Sequence, residues 1–170
     1  DSLQKLVCKF YNRVAMQSTR PGVNENEIHA LIEAIFRSLG MESAYPPIVT
    51  IEGEVLHGHA AGRELKEGQL LLVDAGAETP GGYACDVTRT WPVSGKFDPK
   101  QKLLYQAVLQ SQKAAIKRCN PGVSFEDVHL AAARTLIQTC VNFELMKGDV
   151  DDLLEKGAHA VFFPHGVGHL

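Results

Sequence analysis

Asp74 and Asp86 are the residues from which the chemistry of this chain is built. Asp74 follows the apolar run Leu70-Leu71-Leu72-Val73, which reads as a buried strand. Asp86 lies within residues 83–93, which are rich in β-branched side chains and read as the partner strand across a Gly81-Gly82 turn. A turn centred on Pro80-Gly81 sets the two aspartates directly opposite each other, with Cβ atoms roughly 4.5–5.5 Å apart. Two carboxylates that close repel, and one is forced to take a proton. A divalent cation between them removes the conflict. Oxygen donors suit Mn²⁺ and Mg²⁺, and a mixed oxygen and nitrogen set also admits Co²⁺ or Zn²⁺. The alternative is one aspartate in the turn and the other on the solvent face. Thr88 and Thr90 share the face of Asp86 by strand alternation. There they either orient the carboxylates or act simply as good strand formers.

The histidines are the other candidates for a site, with a purely structural role as the alternative. His57, in Leu56-His57-Gly58-His59, precedes Asp74 by 17 residues. His165 and His169 are four apart, but Gly166, Gly168 and the lack of a following glutamate argue against an H-E-x-x-H zinc helix. Glycines at such places mark a turn or bulge where backbone approaches a ligand closely.

Helices must carry this hairpin. Leu3, Leu6, Val7, Phe10, Tyr11 and Val14 fall at helical spacing, and Pro21-Gly22 ends that helix. Asn24 with Glu27 forms a capping signature for a second helix running to Gly40. After Pro46-Pro47, residues 48–51 and then 53–57 read as β structure. Asp98-Pro99 opens a long helix that Pro121-Gly122 breaks. Ser124 and Asp127 resemble a capping box for a fourth helix, and residues 160–163 look strand-like. The order repeats. Pro21-Gly22-Val23 with Glu27-Ile28-His29 aligns with Pro121-Gly122-Val123 with Asp127-Val128-His129, at an offset of 100 residues. A duplication is expected, with one half at about 3–97 and an incomplete second half at about 98–170. His29 and His129 read as structural.

The chain has 170 residues, a net charge of −3 and 45% hydrophobic residues. That composition is globular and fills one domain, which excludes whole-chain disorder. No basic cluster supports nucleic-acid binding, and no apolar run reaches the ~18 residues of a membrane span. Cys8, Cys85, Cys119 and Cys140 are scattered with no C-x-x-C pair, so reduced thiols and a cytoplasmic location are expected.

Three segments together resemble the catalytic domain of Xaa-Pro peptidases, the aminopeptidase P and prolidase branch of the methionine-aminopeptidase-like metallopeptidases (family M24). They are Val73-Asp74-Ala75-Gly76-Ala77-Glu78, residues 82–97 around Cys85-Asp86-Val87-Thr88-Arg89-Thr90, and Phe163-Pro164-His165-Gly166-Val167-Gly168-His169. The resemblance runs along essentially the whole chain. It implies an α+β pita-bread fold of two related halves, in agreement with the repeat. It further implies a dinuclear centre of two divalent ions, most readily Mn, with Co or Zn as alternatives. Asp74 would hold one metal, Asp86 would bridge both and His169 would bind the other. His57 and His165 would line the site as catalytic residues that hold the substrate. In the family two glutamates further along complete the centre, and a separate domain precedes it. Since the chain opens on Asp1 and closes one residue after His169, a fragment lacking both is expected. The implied function is hydrolysis of the bond between an N-terminal residue and proline, with a homodimer expected for the full-length protein. The alternative is a catalytically inactive relative kept as a binding module. Cys85 departs from the small Gly or Ser usual at its place, which would crowd the hairpin and set an oxidisable thiol beside Asp86.

Overall fold

A computed structural model of the chain describes residues 2–58 and 61–169. They form two compact units, residues 1–98 and residues 99–170. Among the described residues no helix is long and apolar enough to cross a membrane.

The first unit begins with α1 (Ser2–Ser18) and α2 (Glu25–Ser38). Val7, Tyr11 and Ala15, each four residues apart, line the buried face of α1. Leu3, Leu6 and Phe10 belong to the same apolar stripe in sequence, yet they are exposed. The stripe is therefore wider than the surface that α1 buries within this unit. The capping signature of α2 is realised in full. The Asn26 N–H donates to Asn24 Oδ1 at 2.8 Å, and the Asn24 N–H donates to Glu27 Oε1 at 2.9 Å. Ile28, Ile32, Ile35 and Phe36 face the core.

Five strands follow: β1 (Glu42–Ser43), β2 (Ile48–Thr50), β3 (Leu70–Ala75), β4 (Ala77–Glu78) and β5 (Val87–Pro92). β2, β3 and β5 make an antiparallel sheet in that order, and β1 pairs with β4. Val49, Leu71, Val73 and Trp91 are buried in one cluster with the helix residues. Two side chains bolt α1 to the sheet. Tyr11 donates its hydroxyl to the Ala75 carbonyl at 2.5 Å, and Trp91 Nε1–H donates to Thr19 Oγ1 at 2.9 Å. Residues 53–57, expected as β structure, are turns instead. Val55 N–H bonds to Glu52 O and Gly58 N–H to Val55 O, so the backbone satisfies itself locally and has no ladder to join.

Glu25 is fully buried, which is rare for a carboxylate and calls for partners. It has them. Oε1 accepts from Ile51 N–H at 2.9 Å, Oε2 accepts from Ala61 and Arg63 N–H at 3.1 and 3.2 Å, and Arg63 Nη1 lies 3.6 Å away. One carboxylate thus clasps both ends of the loop that carries His57.

The second unit contains α3 (Pro99–Arg118), α4 (Phe125–Asn142), the short α5 (Val150–Glu155) and a 3-10 helix at Ala158–Val161. Small residues bring α3 and α4 together. Ala107, Ser111 and Ala115 are buried opposite Ala132 and Ala133, and Ser111 donates its hydroxyl to Ala132 O at 2.8 Å. Half of the expected capping box forms on α4: Asp127 N–H donates to Ser124 Oγ at 3.0 Å. Gly22 and Gly122, at matching points of the sequence repeat, both take a left-handed backbone, with φ of 88° and 84°. The strand expected at residues 160–163 is not formed. Gly157 turns the chain with φ 67°, and the N–H groups of Phe162 and Phe163 bond back to His159 O. Without a partner strand, local 3-10 bonds satisfy this backbone.

Candidate metal centre

Asp74 sits near the end of β3 between the buried Val73 and Ala75, so its backbone is held from both sides. Asp86 stands one residue before β5 and is exposed. The register differs from the one expected from the turn. Asp74 pairs with Thr88, and the isolated bridge Glu78↔Ala84 continues the same ladder. The turn is centred on Gly81, one residue later than the Pro80 centre that sets the two aspartates opposite each other. Its frame is the Thr79 N–H to Tyr83 O bond at 2.9 Å and the Gly82 N–H to Thr79 O bond at 2.9 Å. Opposed aspartates need partner numbers summing to 160, whereas the observed pairs sum to 162; a shift of one residue in the turn centre moves the facing residue by two, so Asp86 falls opposite Gly76. The aspartates are diagonal neighbours, not opposed ones, yet they still share a face.

A residue absent from the sequence-based set joins them. Tyr45 Oη lies 2.6 Å from Asp74 Oδ1 and 2.8 Å from Asp86 Oδ1. Those two carboxylate oxygens are therefore no more than 5.4 Å apart. Tyr45 reaches them because the ladder is interrupted. Ile48 pairs with Asp74 and Ser43 with Ala77, so residues 44–47 oppose only residues 75–76. Pro46 and Pro47 have no N–H to extend the pairing, and the excess chain bulges with Tyr45 on it. The Pro-Pro pair was the sequence signal of a break, but nothing in the spacing aimed Tyr45 at the aspartates.

The donor set fits a cation. One phenol carries one proton and can donate to only one carboxylate at a time. The second short oxygen–oxygen contact needs another proton or a positive charge. Burial, followed by the hydrogen bonds to Asp74 and Asp86, holds the Tyr45 hydroxyl protonated well above the ordinary phenol range. Hard oxygen donors of this type suit a divalent ion. Among the described residues no group of three or more His, Cys, Asp and Glu is gathered around a metal-sized space. Thr88 is the cross-strand partner of Asp74.

Gly76 leaves no room for a side chain. A Cβ there would lie 1.6 Å from the Cys85 carbonyl oxygen. Gly76→Ala is expected to destabilise the protein by about 1–3 kcal/mol, the range of overpacking, by pushing the Cys85-Asp86 segment outward. Denaturant unfolding of the variant checks this. Cys85 itself does not crowd the hairpin but turns inward, with Sγ 2.9 Å from Cys8 Sγ.

His57 is exposed on the loop clasped by Glu25 and has a left-handed backbone, φ 56°. Such a conformation is strained for a non-glycine residue. Its neighbour His59 lies outside the described residues. His165 and His169 belong to the second unit and are exposed. His165 packs edge-on against Phe163 with ring centroids 4.8 Å apart, and its Nδ1 lies 2.8 Å from Gly166 O. Phe163 also stacks on His129 at 5.2 Å, and His129 Nε2 is 3.3 Å from His159 Nε2. These rings border a cleft of about 440 Å³ that also touches Pro164 and Gly166. Within their own units, the structure joins Asp74 to Asp86 through Tyr45 and backs His165 with an aromatic stack. His29 Nδ1 lies 3.8 Å from Glu33 Oε2, one turn further along α2.

Burial, and then the nearby His129, lower the pKa of His159 below its ordinary 6.5. The unfolded chain thus takes up this proton more readily than the folded one. The associated stability is present above pH 6.5 and is lost as pH falls. Thermal melts are expected to show a lower Tm at pH 5.5 than at pH 7.5, with a smaller difference in His159→Gln.

A model of metallopeptidase family M24 matches residues 3–170. The chain belongs to metallopeptidase family M24. Its relatives in the family include the Xaa-Pro aminopeptidase of Escherichia coli K12, 38% identical over 91% of this chain and 36% of that protein. The Xaa-Pro aminopeptidase of Haemophilus influenzae is 39% identical over the same shares. Among solved structures, Pseudomonas aeruginosa aminopeptidase PepP superposes with a TM-score of 0.93 at 36% identity, covering 98% of this chain and 38% of that one. Zinc-substituted Escherichia coli aminopeptidase P in complex with product gives 0.91 at 35% identity, covering 98% and 38%. The expectation of an α+β pita-bread fold is met by these M24 structures. The chain spans little more than a third of the length of the relatives it matches.

Proposed function

We propose that this M24 chain is part of a dinuclear metal-dependent exopeptidase that hydrolyses the bond between an N-terminal residue and proline. The observation that carries the reading is the Asp74-Tyr45-Asp86 cluster in a chain 38% identical to an Xaa-Pro aminopeptidase. In this proposal Asp74, Asp86 and His169 are metal ligands, the first two through oxygen and the third through an imidazole nitrogen. The ions, Mn²⁺ by preference and Co²⁺ or Zn²⁺ otherwise, supply Lewis acidity and an activated water when bound. Tyr45 keeps its proton and holds the two carboxylates on one face of the hairpin. His57 and His165 bind and orient the peptide. An Xaa-Pro bond has no amide N–H, so recognition must come from shape and from groups that hold the flanking atoms. A homodimer and a cytoplasmic location complete the proposal, supported by the resemblance and by four cysteines that are all free thiols.

The test uses the full-length protein with an Ala-Pro-initiated peptide. Release of free alanine is expected with added Mn²⁺, its loss with a chelator, and its return when metal is restored. Metal binding without any hydrolysis across Xaa-Pro peptides would instead favour an inactive relative that only binds peptides.

A further inference from the structure

Cys8 and Cys85 are 77 residues apart in sequence, and their sulfurs are 2.9 Å apart. Carbon atoms rest in contact at about 3.5–4.0 Å, so these larger atoms are already inside ordinary contact distance. A disulfide requires about 2.05 Å, an approach of less than about 1 Å more. Both residues are half-buried. Cys8 is on α1, and Cys85 directly precedes Asp86.

A second cleft of about 440 Å³ opens onto both sulfurs. Lys5, Lys9 and Arg89 give it positive charge, and no acidic side chain lines it. Gln4 Nε2 and Asn12 Oδ1 are buried there without a hydrogen-bond partner. The cleft thus offers cations for carboxylates beside the two cysteines. A small anionic peptide disulfide matches both features.

We propose that Cys8 and Cys85 are an oxidisable dithiol that exchanges with glutathione-type disulfides to form an intramolecular disulfide, tying α1 to the segment that carries Asp86. The exchange balances. One protein sulfur attacks the glutathione disulfide, its S–S bond breaks, and one glutathione leaves with the proton. The second protein sulfur then attacks the mixed disulfide at the first, and the other glutathione leaves with the remaining proton. Two protein thiols are oxidised and one glutathione disulfide is reduced to two thiols. The inference stands on the first unit's geometry alone and is independent of the peptidase reading.

The reduced protein is incubated with glutathione disulfide, alkylated and digested. The expected product is a peptide pair joining Cys8 to Cys85, with an intact mass lower by two hydrogens. The link is absent in Cys8→Ser and Cys85→Ser. The oxidised wild-type protein is expected to melt about 5–10 °C higher, because a long loop is closed, and dithiothreitol reverses the shift. Cys8 and Cys85 remaining alkylatable overturns the proposal, as do separate glutathione adducts on each without a link. A linked protein with unchanged Tm overturns the tie between α1 and the Asp86 segment.

Discussion

Asp86→Ala in the full-length protein is expected to lower Xaa-Pro hydrolysis by more than about 10²-fold, beyond what loss of a supporting residue around a metal costs. Asp74 and Asp86 have oxygens at most 5.4 Å apart, linked by a hydroxyl with one proton to give. Removing one carboxylate removes the repulsion, and with it the reason for a cation to settle there. Tyr45 then donates to Asp74 alone, and the cluster is satisfied without metal. Bound metal, measured by elemental analysis of the purified protein, should fall with the activity. The fold should survive, since Asp86 is exposed and contributes nothing to the core. Unchanged circular dichroism with lost metal and lost activity is the expected combination. Full activity in Asp86→Ala would sink the metal assignment. Tyr45→Phe should behave differently, because it leaves both charges in place.

Glu25→Ala is expected to be among the most destabilising single substitutions, by about 3–5 kcal/mol, the cost of leaving three backbone donors without their acceptor. The carboxylate accepts three backbone N–H groups and faces Arg63 with none of its surface exposed. Its removal strands those donors in the interior, and each unpaired one costs about 1–3 kcal/mol unless water reaches it. Arg63 keeps Glu52 at 2.6 Å, which limits the loss on the cationic side. Glu25→Gln retains one acceptor oxygen and should cost less. Urea unfolding measures both. Limited proteolysis adds a local readout, since residues 51–63 are clasped at both ends by this one side chain and should be cut faster in Glu25→Ala. A Glu25→Ala protein as stable as wild type would show that the loop is held by other means.

The sequence alone determined the elements whose cause is local. Helix starts were legible because Asn24 and Glu27 satisfy backbone donors within one turn. The breaks at Pro21-Gly22 and Pro121-Gly122 were legible because proline and glycine act on their own dihedrals. The hairpin and the presence of both aspartates on it followed from apolar patterning. The three motif segments were enough to indicate the family.

Tertiary structure decided what depends on distant chain. The strand register slipped because the turn centre depends on bonds across residues 79–83, not on composition. The strand expected at residues 160–163 became a 3-10 turn, since a strand needs a partner and patterning cannot supply one. Tyr45 is 29 residues from Asp74 and 41 from Asp86, and only the mismatched ladder at Pro46-Pro47 brings it between them. Nothing in the sequence singles out Glu25, and Cys8 reads as a scattered thiol. Burial made the one a clasp, and a 77-residue separation closed to 2.9 Å made the other half of a pair. Local rules fix which residues bear the chemistry. The positions of their partners follow from packing, because contacts distant in sequence form only once the core has fixed the chain around them.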